Sequence, residues 1–378
     1  MSADLAAARR LVGAPLEQVP TPALILEPAI VRANVEEMRR RMETLPAALR
    51  PHAKIHKSPA LARLQLEAGA IGITTATVWE ATAMVEAGID DVLVANQVVG
   101  PRKVAELARL ATLGRVIALV DDAGNAAAIS AAALAAGGEV GVLVELDVGL
   151  HRAGVREVGA AADLARLVDR LPGLRLLGAF GYEGHCMLEP DREERVRKAR
   201  AANARLLELV DEMEARGLPT EIVAAGGLGT WDITGANPRI TEIHAGSYIF
   251  SDAFHRNLVP GFEPALSVLA TATSAAGRTA VLDCGRKSIG IDRAPPELIG
   301  AAGRVRFEHG ERFIHEEHTA IELDDEAPRV GDTFRLMPGY SPTTVNFYDC
   351  YFLVEAGIVT DVWPVLGRYG TETTGVEA

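Results

Sequence analysis

Short apolar runs alternate with longer segments whose apolar positions recur at helical spacing, from about residue 20 to about residue 245. Thr21-Pro22-Ala23-Leu24-Ile25-Leu26 reads as a strand, and Pro28 opens a helix that carries Ile30, Val31, Val35, Met38 and Met42 on one face. Residues 46–53 are extended and bring the chain to Lys54. Ser58 and Pro59 then act as N-cap and first residue of a helix over 60–68, which Gly69 stops. Further strands are expected at 71–74, 91–95, 116–120, 140–146, 174–180, 221–225 and 241–245, with helices in most gaps. Runs such as Val140-Gly141-Val142-Leu143-Val144-Glu145-Leu146 are almost continuously apolar, as strands buried on both faces are. Eight strands interleaved with helices predict an α/β fold of the (β/α)8 TIM-barrel type over residues 28–255.

Beyond residue 260 the period shortens. Segments 265–273, 279–283, 304–307, 318–323, 332–337 and 350–354 alternate apolar with polar residues and are divided by Gly, Pro and Asp. They predict a C-terminal antiparallel β domain over 256–378, which residues 1–27 join through the 21–26 strand.

Composition narrows the function classes. A chain of 378 residues, 48% apolar and 24% charged, has a large core to bury and no apolar run long enough to span a bilayer. Met1-Ser2-Ala3-Asp4-Leu5 has an early acid and lacks the apolar core of a secretory signal. The net charge of −13, with basic residues scattered among acids, argues against nucleic acid. Cys186, Cys284 and Cys350 lie far apart and in no paired spacing, which points to a reduced, cytoplasmic compartment.

The basic residues also single out one position. Only five are lysines against thirty-three arginines, and Lys54 and Lys57 sit together in Pro51-His52-Ala53-Lys54-Ile55-His56-Lys57. A partly desolvated amine near other cationic groups has a lowered pKa, as a lysine that attacks a carbonyl requires. The competing reading is a surface Lys-His cluster at a helix start. Barrel active sites lie at the C-terminal ends of the strands, and the loops after strands seven and eight commonly bind phosphate. Here those loops are Gly226-Gly227-Leu228-Gly229-Thr230 and Gly246-Ser247-Tyr248. Their glycines let backbone N–H groups approach an anion, and Thr230, Ser247 and Tyr248 add hydroxyl donors; the alternative is a pair of tight turns. A reactive lysine and a phosphate site at other strand ends together describe pyridoxal phosphate. Arg152 could hydrogen-bond the coenzyme's phenolic oxygen, or simply pair with Asp147. Tyr182 or His185 could face the ring or the substrate, or His185 could be a satisfied loop histidine.

Pro51-His52-Ala53-Lys54-Ile55-His56-Lys57, Ala95-Asn96-Gln97-Val98-Val99-Gly100, Asp147-Val148-Gly149, Tyr182-Glu183-Gly184-His185, the Gly226–Thr230 turn and Ala245-Gly246-Ser247-Tyr248 resemble, in order, the D-threonine aldolase and D-serine dehydratase family. These are fold-type III pyridoxal phosphate enzymes related to alanine racemase. The resemblance implies that Lys54 carries the coenzyme and that His52, Arg152, Tyr182, Gly227, Gly229, Thr230, Gly246, Ser247 and Tyr248 surround it. It also implies a head-to-tail homodimer acting on a small amino acid. Many members use a divalent metal held by a His and, two residues on, a Cys or Asp. Here that turn reads Pro338-Gly339-Tyr340-Ser341-Pro342-Thr343-Thr344-Val345-Asn346, so Tyr340 and Pro342 stand at the ligand positions. Neither is a suitable ligand in that geometry, and no metal is expected there. His56, His185, His318 or Tyr340 would then handle the hydroxyl proton, and Glu316-Glu317-His318 still matches the family.

The expectation is a lyase cleaving the Cα–Cβ bond of a small D-configured β-hydroxy-α-amino acid. Dehydration, racemisation, carbon transfer at Cα, and coenzyme carriage without turnover are the alternatives. Retro-aldol cleavage ranks first because a base suffices for it, whereas hydroxide departs poorly without a Lewis acid.

Overall fold

A computed structural model describes residues 3–306 and 314–368. The chain forms two compact units, one of Met38–Lys54 and Pro59–Gly246 with the residues from Gly367 onward, the other of the residues up to Glu37, Ile55–Ser58 and Ser247–Leu366.

The first unit is a barrel. Its strands are Ala48–Leu49, Ile73–Thr75, Asp91–Gln97, Arg115–Val120, Val140–Glu145, Leu174–Gly181, Ile222–Ala225 and Glu242–Ile243, each parallel to its neighbours, with the first paired to the eighth. Closure between the first two strands runs through the Ile71 amide on the Leu49 carbonyl (3.0 Å), the Thr74 amide on the Pro51 carbonyl (2.9 Å) and a bridge from His52 to Thr74. Leu93, Ile117, Leu119, Leu143, Leu177, Phe180, Ile222 and Ala224 form one buried cluster. Such β-branched and aliphatic side chains are what a barrel interior packs. The first strand is shorter than the extended run expected over 46–53. Pro51 has no N–H for the ladder, so pairing to the eighth strand ends with the Arg50 amide, only the Pro51 carbonyl and the His52 bridge continue toward the second strand, and the chain coils into a 3-10 turn, Ala53–Ile55.

The helices mostly begin where the capping residues predict. Thr77 accepts the Glu80 amide at 3.2 Å, and Glu80 in turn accepts the Ala76 amide at 2.7 Å. Asp191 accepts the Glu194 amide at 2.8 Å and opens Arg192–Ala215, whose inner face includes Arg195, Ala199, Ala202, Leu206, Leu209 and Met213. Ser58 departs from expectation. Its hydroxyl is buried without a hydrogen-bond partner among the described residues, and its amide donates to His56 Nδ1 at 3.0 Å, so Pro59–Glu67 starts on the proline without that cap.

A charged network lies within the barrel wall. Arg50, 1% exposed, donates to Glu242 (3.0 and 3.3 Å) and to Asp91 (2.6 Å), Arg115 also reaches Asp91 (2.7 Å), and His244 Nε2 meets Glu242 at 3.1 Å. Burial pushes the Glu242 carboxyl up, but the hydrogen bonds and charges of His244 and Arg50 outweigh it and hold it at about 2.

The second unit is built on an antiparallel sheet. Its path runs Gly303–Val305, Thr319–Leu323, Thr279–Leu282, Leu266–Ala276, Ala23–Leu26, Cys350–Glu355, Ile358–Pro364, and Thr333–Met337 pairs with both Leu266–Ala276 and Glu297–Ile299. Ala23–Leu26 joins it as expected, antiparallel to Leu266–Leu269 and parallel to Phe352–Leu353, and the cluster of Val19, Ala23, Ile25, Leu269, Phe352, Val354, Val359 and Val362 fixes it there. Two strands were not legible from the sequence. Glu297–Ile299 is too short to show alternation, and Ile358–Pro364 is interrupted by Thr360 and Asp361. Of the expected 304–307 strand, Phe307 lies outside the described residues. Among those described, no helix is long and apolar enough to cross a membrane, and the three cysteines are free.

Candidate active site

Lys54 occupies the middle of the 3-10 turn that leaves the first strand. Its amide approaches His52 Nδ1 at 3.4 Å, and His52 is itself tied to Thr74 by the closing bridge. The Thr74 hydroxyl donates to the Arg50 carbonyl at 3.1 Å and meets His244 Nδ1 at 3.3 Å, so the lysine turn is anchored to the buried network. The loop after the eighth strand comes so close that a Cβ on Gly246 would lie 2.3 Å from the His52 oxygen and 3.0 Å from its nitrogen. Only glycine fits that approach. Burial, and secondly the charge of Arg152, lower the Lys54 pKa from its ordinary value, with Glu80 opposing in part. Desolvation is as the sequence argument expected, but the cation that acts is Arg152 and not the neighbouring Lys57, His52 or His56.

Arg152 does not pair with Asp147. That carboxylate is taken by the amides of Gly149 (3.0 Å) and His151 (2.9 Å), by His151 Nδ1 (2.9 Å) and by Arg156 (2.6 Å). Burial raises the Asp147 pKa and these partners override it, leaving it at about 2. The Arg152 guanidinium instead lies over the Tyr182 ring, 5.4 Å from its centroid. Tyr182 in turn covers Gly227, where a Cβ would stand 3.3 Å from the ring and 3.2 Å from Met187 Sδ.

Beneath the glycine-rich turn is a residue that sequence reasoning quoted within a motif but did not assign. Glu183, 1% exposed, accepts the Gly226 amide (3.0 Å) and the hydroxyls of Thr230 (2.8 Å) and Thr234 (2.5 Å). The Thr230 hydroxyl, expected to reach an anion directly, is therefore committed to Glu183, and its effect on the turn is to hold its shape. His185 follows in the 3-10 turn Gly184–Leu188. Its Nδ1 is buried without a hydrogen-bond partner among the described residues, its ring stands 3.3 Å from where a Gly149 Cβ would be, and burial lowers its pKa. The barrel unit thus brings Lys54, His52, Arg152, Tyr182, His185, Gly227, Gly229, Thr230 and Gly246 to the strand ends and the loops that follow them.

The other expected residues belong to the second unit. His56 is fully buried, and its carbonyl accepts the Tyr351 hydroxyl at 2.5 Å. Ser247 begins the 3-10 turn Ser247–Ile249, within which Tyr248 is 1% exposed with its ring 5.8 Å from that of Phe262. His318 is exposed on the turn before Thr319–Leu323. Tyr340 stacks on His255, with centroids 5.7 Å apart and planes at 21°, and His255 Nδ1 meets the buried Asp252 at 2.7 Å. Asp252 also accepts the Ser341 amide at 2.7 Å. Neither Asp252 nor His255 was foreseen, because nothing in their local sequence distinguishes them from a helix cap and a helical histidine.

The chain has extended similarity to known proteins. Residues 27–253 match the alanine racemase N-terminal domain and residues 265–354 a putative serine dehydratase domain. D-threonine aldolase of an Arthrobacter species is 36% identical, with 94% of each chain covered, and 3-hydroxy-D-aspartate aldolase of Paracoccus denitrificans is 34% identical over 95% of this chain and 94% of that one. The crystal structure of D-threonine aldolase from Filomicrobium marinum superposes with a TM-score of 0.88 at 34% identity, covering 94% of this chain and 97% of that one.

Proposed function

Since the chain belongs to the D-threonine aldolase and D-serine dehydratase family, built on an alanine racemase-type N-terminal domain, we propose that it is a pyridoxal phosphate-dependent lyase. Its reaction cleaves the Cα–Cβ bond of small D-configured β-hydroxy-α-amino acids. The observation that carries this reading is the Lys54 amine, lowered in pKa by burial and by Arg152, on a turn that Gly246 and Thr74 lock in place.

The residues present fit the coenzyme. Lys54 would hold its aldehyde, the glycine turns 226–230 and 246–248 its phosphate, and Arg152 and Tyr182 its ring. Bound there, the coenzyme supplies an electrophilic carbon for amines and a conjugated ring that accepts the electron pair released at Cα. Lys54, with its lowered pKa, has a larger unprotonated share near neutral pH and so attacks a carbonyl more readily. His185 accepts the β-hydroxyl proton; its unpartnered Nδ1 and lowered pKa keep it neutral and receptive. As that O–H bond breaks, the Cα–Cβ bond cleaves, the β-carbon departs as an aldehyde and Cα later regains a proton.

We read the reaction as independent of metal at the 338–346 turn. Pro342 offers no donor atom, and burial first, with the charge of Asp252, raises the Tyr340 pKa, so its hydroxyl stays protonated and a poor ligand. Racemisation or carbon transfer at Cα is the second reading, favoured by the same two residues because neither reaction touches a β-hydroxyl. A homodimer in the cytoplasm is proposed on the family resemblance and the three free thiols; light scattering tests the first.

Borohydride reduction of the yellow protein followed by peptide mapping should place the label on Lys54, and D-threonine or D-phenylserine with EDTA present should yield aldehyde. A label elsewhere, or a colourless protein indifferent to added coenzyme, refutes the assignment. Deuterium uptake at Cα with inversion and no aldehyde would establish the second reading in its place.

A further inference from the structure

Arg195 is the fourth residue of the helix Arg192–Ala215 and the most polar member of its inner face. It is only 6% exposed, yet its Nε and Nη1 atoms have no hydrogen-bond partner among the described residues. Burying guanidinium donors without a partner is costly, because the N–H groups of Nε and Nη1 lose water without replacement.

The carboxylates near it are committed elsewhere. Asp232 is bound by Arg192 at 2.5 Å, Glu189 by Lys198 at 2.6 Å, and Asp191 caps the helix through the Glu194 amide. Burial first, and then the like charge of Arg192, lower the Arg195 pKa, with Asp232, Glu189 and Asp191 opposing only in part.

Its place in the fold says what is missing. The helix packs against the 3-10 turns Gly184–Leu188 and Leu228–Thr230, the loops that carry His185 and the glycine-rich turn. Two unpartnered donor groups of one buried guanidinium, on a helix that packs against these two loops, match an oxyanion as ligand. We propose that Arg195 is an oxyanion-binding residue at the barrel rim. Resting on the function proposed above, the anion is either the coenzyme's phosphate or a carboxylate on the substrate side chain, two sources of one chemistry.

The test compares the holoenzyme with Arg195→Met, which keeps the stem volume, and Arg195→Lys, which keeps the charge but not the fork. If phosphate is the anion, Arg195→Met weakens pyridoxal phosphate binding by about tenfold or more while binding of pyridoxal, which lacks the phosphate, is unchanged. If the anion is a side-chain carboxylate, the KM for D-3-hydroxyaspartate rises by about tenfold while that for D-threonine does not. Should Arg195→Met fail to fold, the same measurements on Arg195→Lys decide. Folded variants within about twofold of the parent in both measurements would overturn the proposal and leave the lyase reading intact. Should the parent protein form no borohydride-reducible adduct on Lys54, the lyase reading falls separately. The proposal is then decided by thermal melting in inorganic phosphate and in succinate: stabilisation of the parent but not of Arg195→Met upholds it, and its absence refutes it.

Discussion

The Arg152 guanidinium lies 5.4 Å from the centroid of the Tyr182 ring, so the loops after the fifth and sixth barrel strands share one cation held against one aromatic face. The same charge is the second cause, after burial, of the lowered Lys54 pKa. One residue therefore both lies against the Tyr182 ring and lowers the pKa of the amine on which the proposed function rests.

Replacing Arg152 by Gln removes a cation that disfavours the charged amine, so the Lys54 pKa rises and its unprotonated share at neutral pH falls. Coenzyme uptake should slow, and the pH at which uptake becomes half-maximal should move upward. Arg152→Lys retains the charge and should keep the parent's profile. Stopped-flow absorbance across a pH series reads this directly, and an unmoved profile in Arg152→Gln contradicts the role.

Gly246→Ala places a methyl group 2.3 Å from the His52 carbonyl oxygen and 3.0 Å from its nitrogen, both backbone atoms that no rotamer change can clear. The expected cost is about 1–3 kcal/mol of stability, with the turn carrying Lys54 displaced. Chemical denaturation and coenzyme titration should show both losses together; a variant that binds coenzyme like the parent means the approach is looser than described.

Glu242→Gln leaves Arg50 buried with only Asp91 for charge, and should destabilise the fold by about 3 kcal/mol, the lower end for breaking a buried pair. The Glu242 carboxyl sits at about 2 in the folded protein, below its unfolded value, so its contribution is complete above the ordinary glutamate range and is lost as pH falls toward 2. The parent should lose this increment over that acid window and Glu242→Gln should not. Urea midpoints measured at neutral and acid pH that shift in parallel for the two proteins would disprove it.

His185→Gln should lower kcat by about 10²–10⁴-fold if the ring accepts the β-hydroxyl proton. Because burial lowers its pKa, the parent's rate should hold through neutral pH and fall on acidification below the ordinary imidazole range, and the variant should lack that acid limb. Aldehyde release by a coupled dehydrogenase reports the rate. A variant whose kcat and pH profile match the parent's returns the proton to another group, such as Tyr340.

The alternation of apolar runs with helical segments was enough to read eight parallel strands and the switch to an antiparallel sheet, while composition, glycine-rich loops and the family resemblance put forward Lys54, Gly227 and Gly246 as candidate site residues. Those features are local: a strand buried on both faces must be apolar along its length, and a turn that another backbone touches must be glycine. The tertiary structure alone decided which polar groups met. Asp147 went to Arg156 and His151 while Arg152 went to Tyr182, the Thr230 hydroxyl turned to Glu183, and among the described residues the Ser58 hydroxyl and the Nε and Nη1 atoms of Arg195 were buried without a partner. Sequence spacing cannot rank such pairings, because each side chain has several candidates within reach along the chain, and the choice is made by which strand ends and loops the closed barrel brings together.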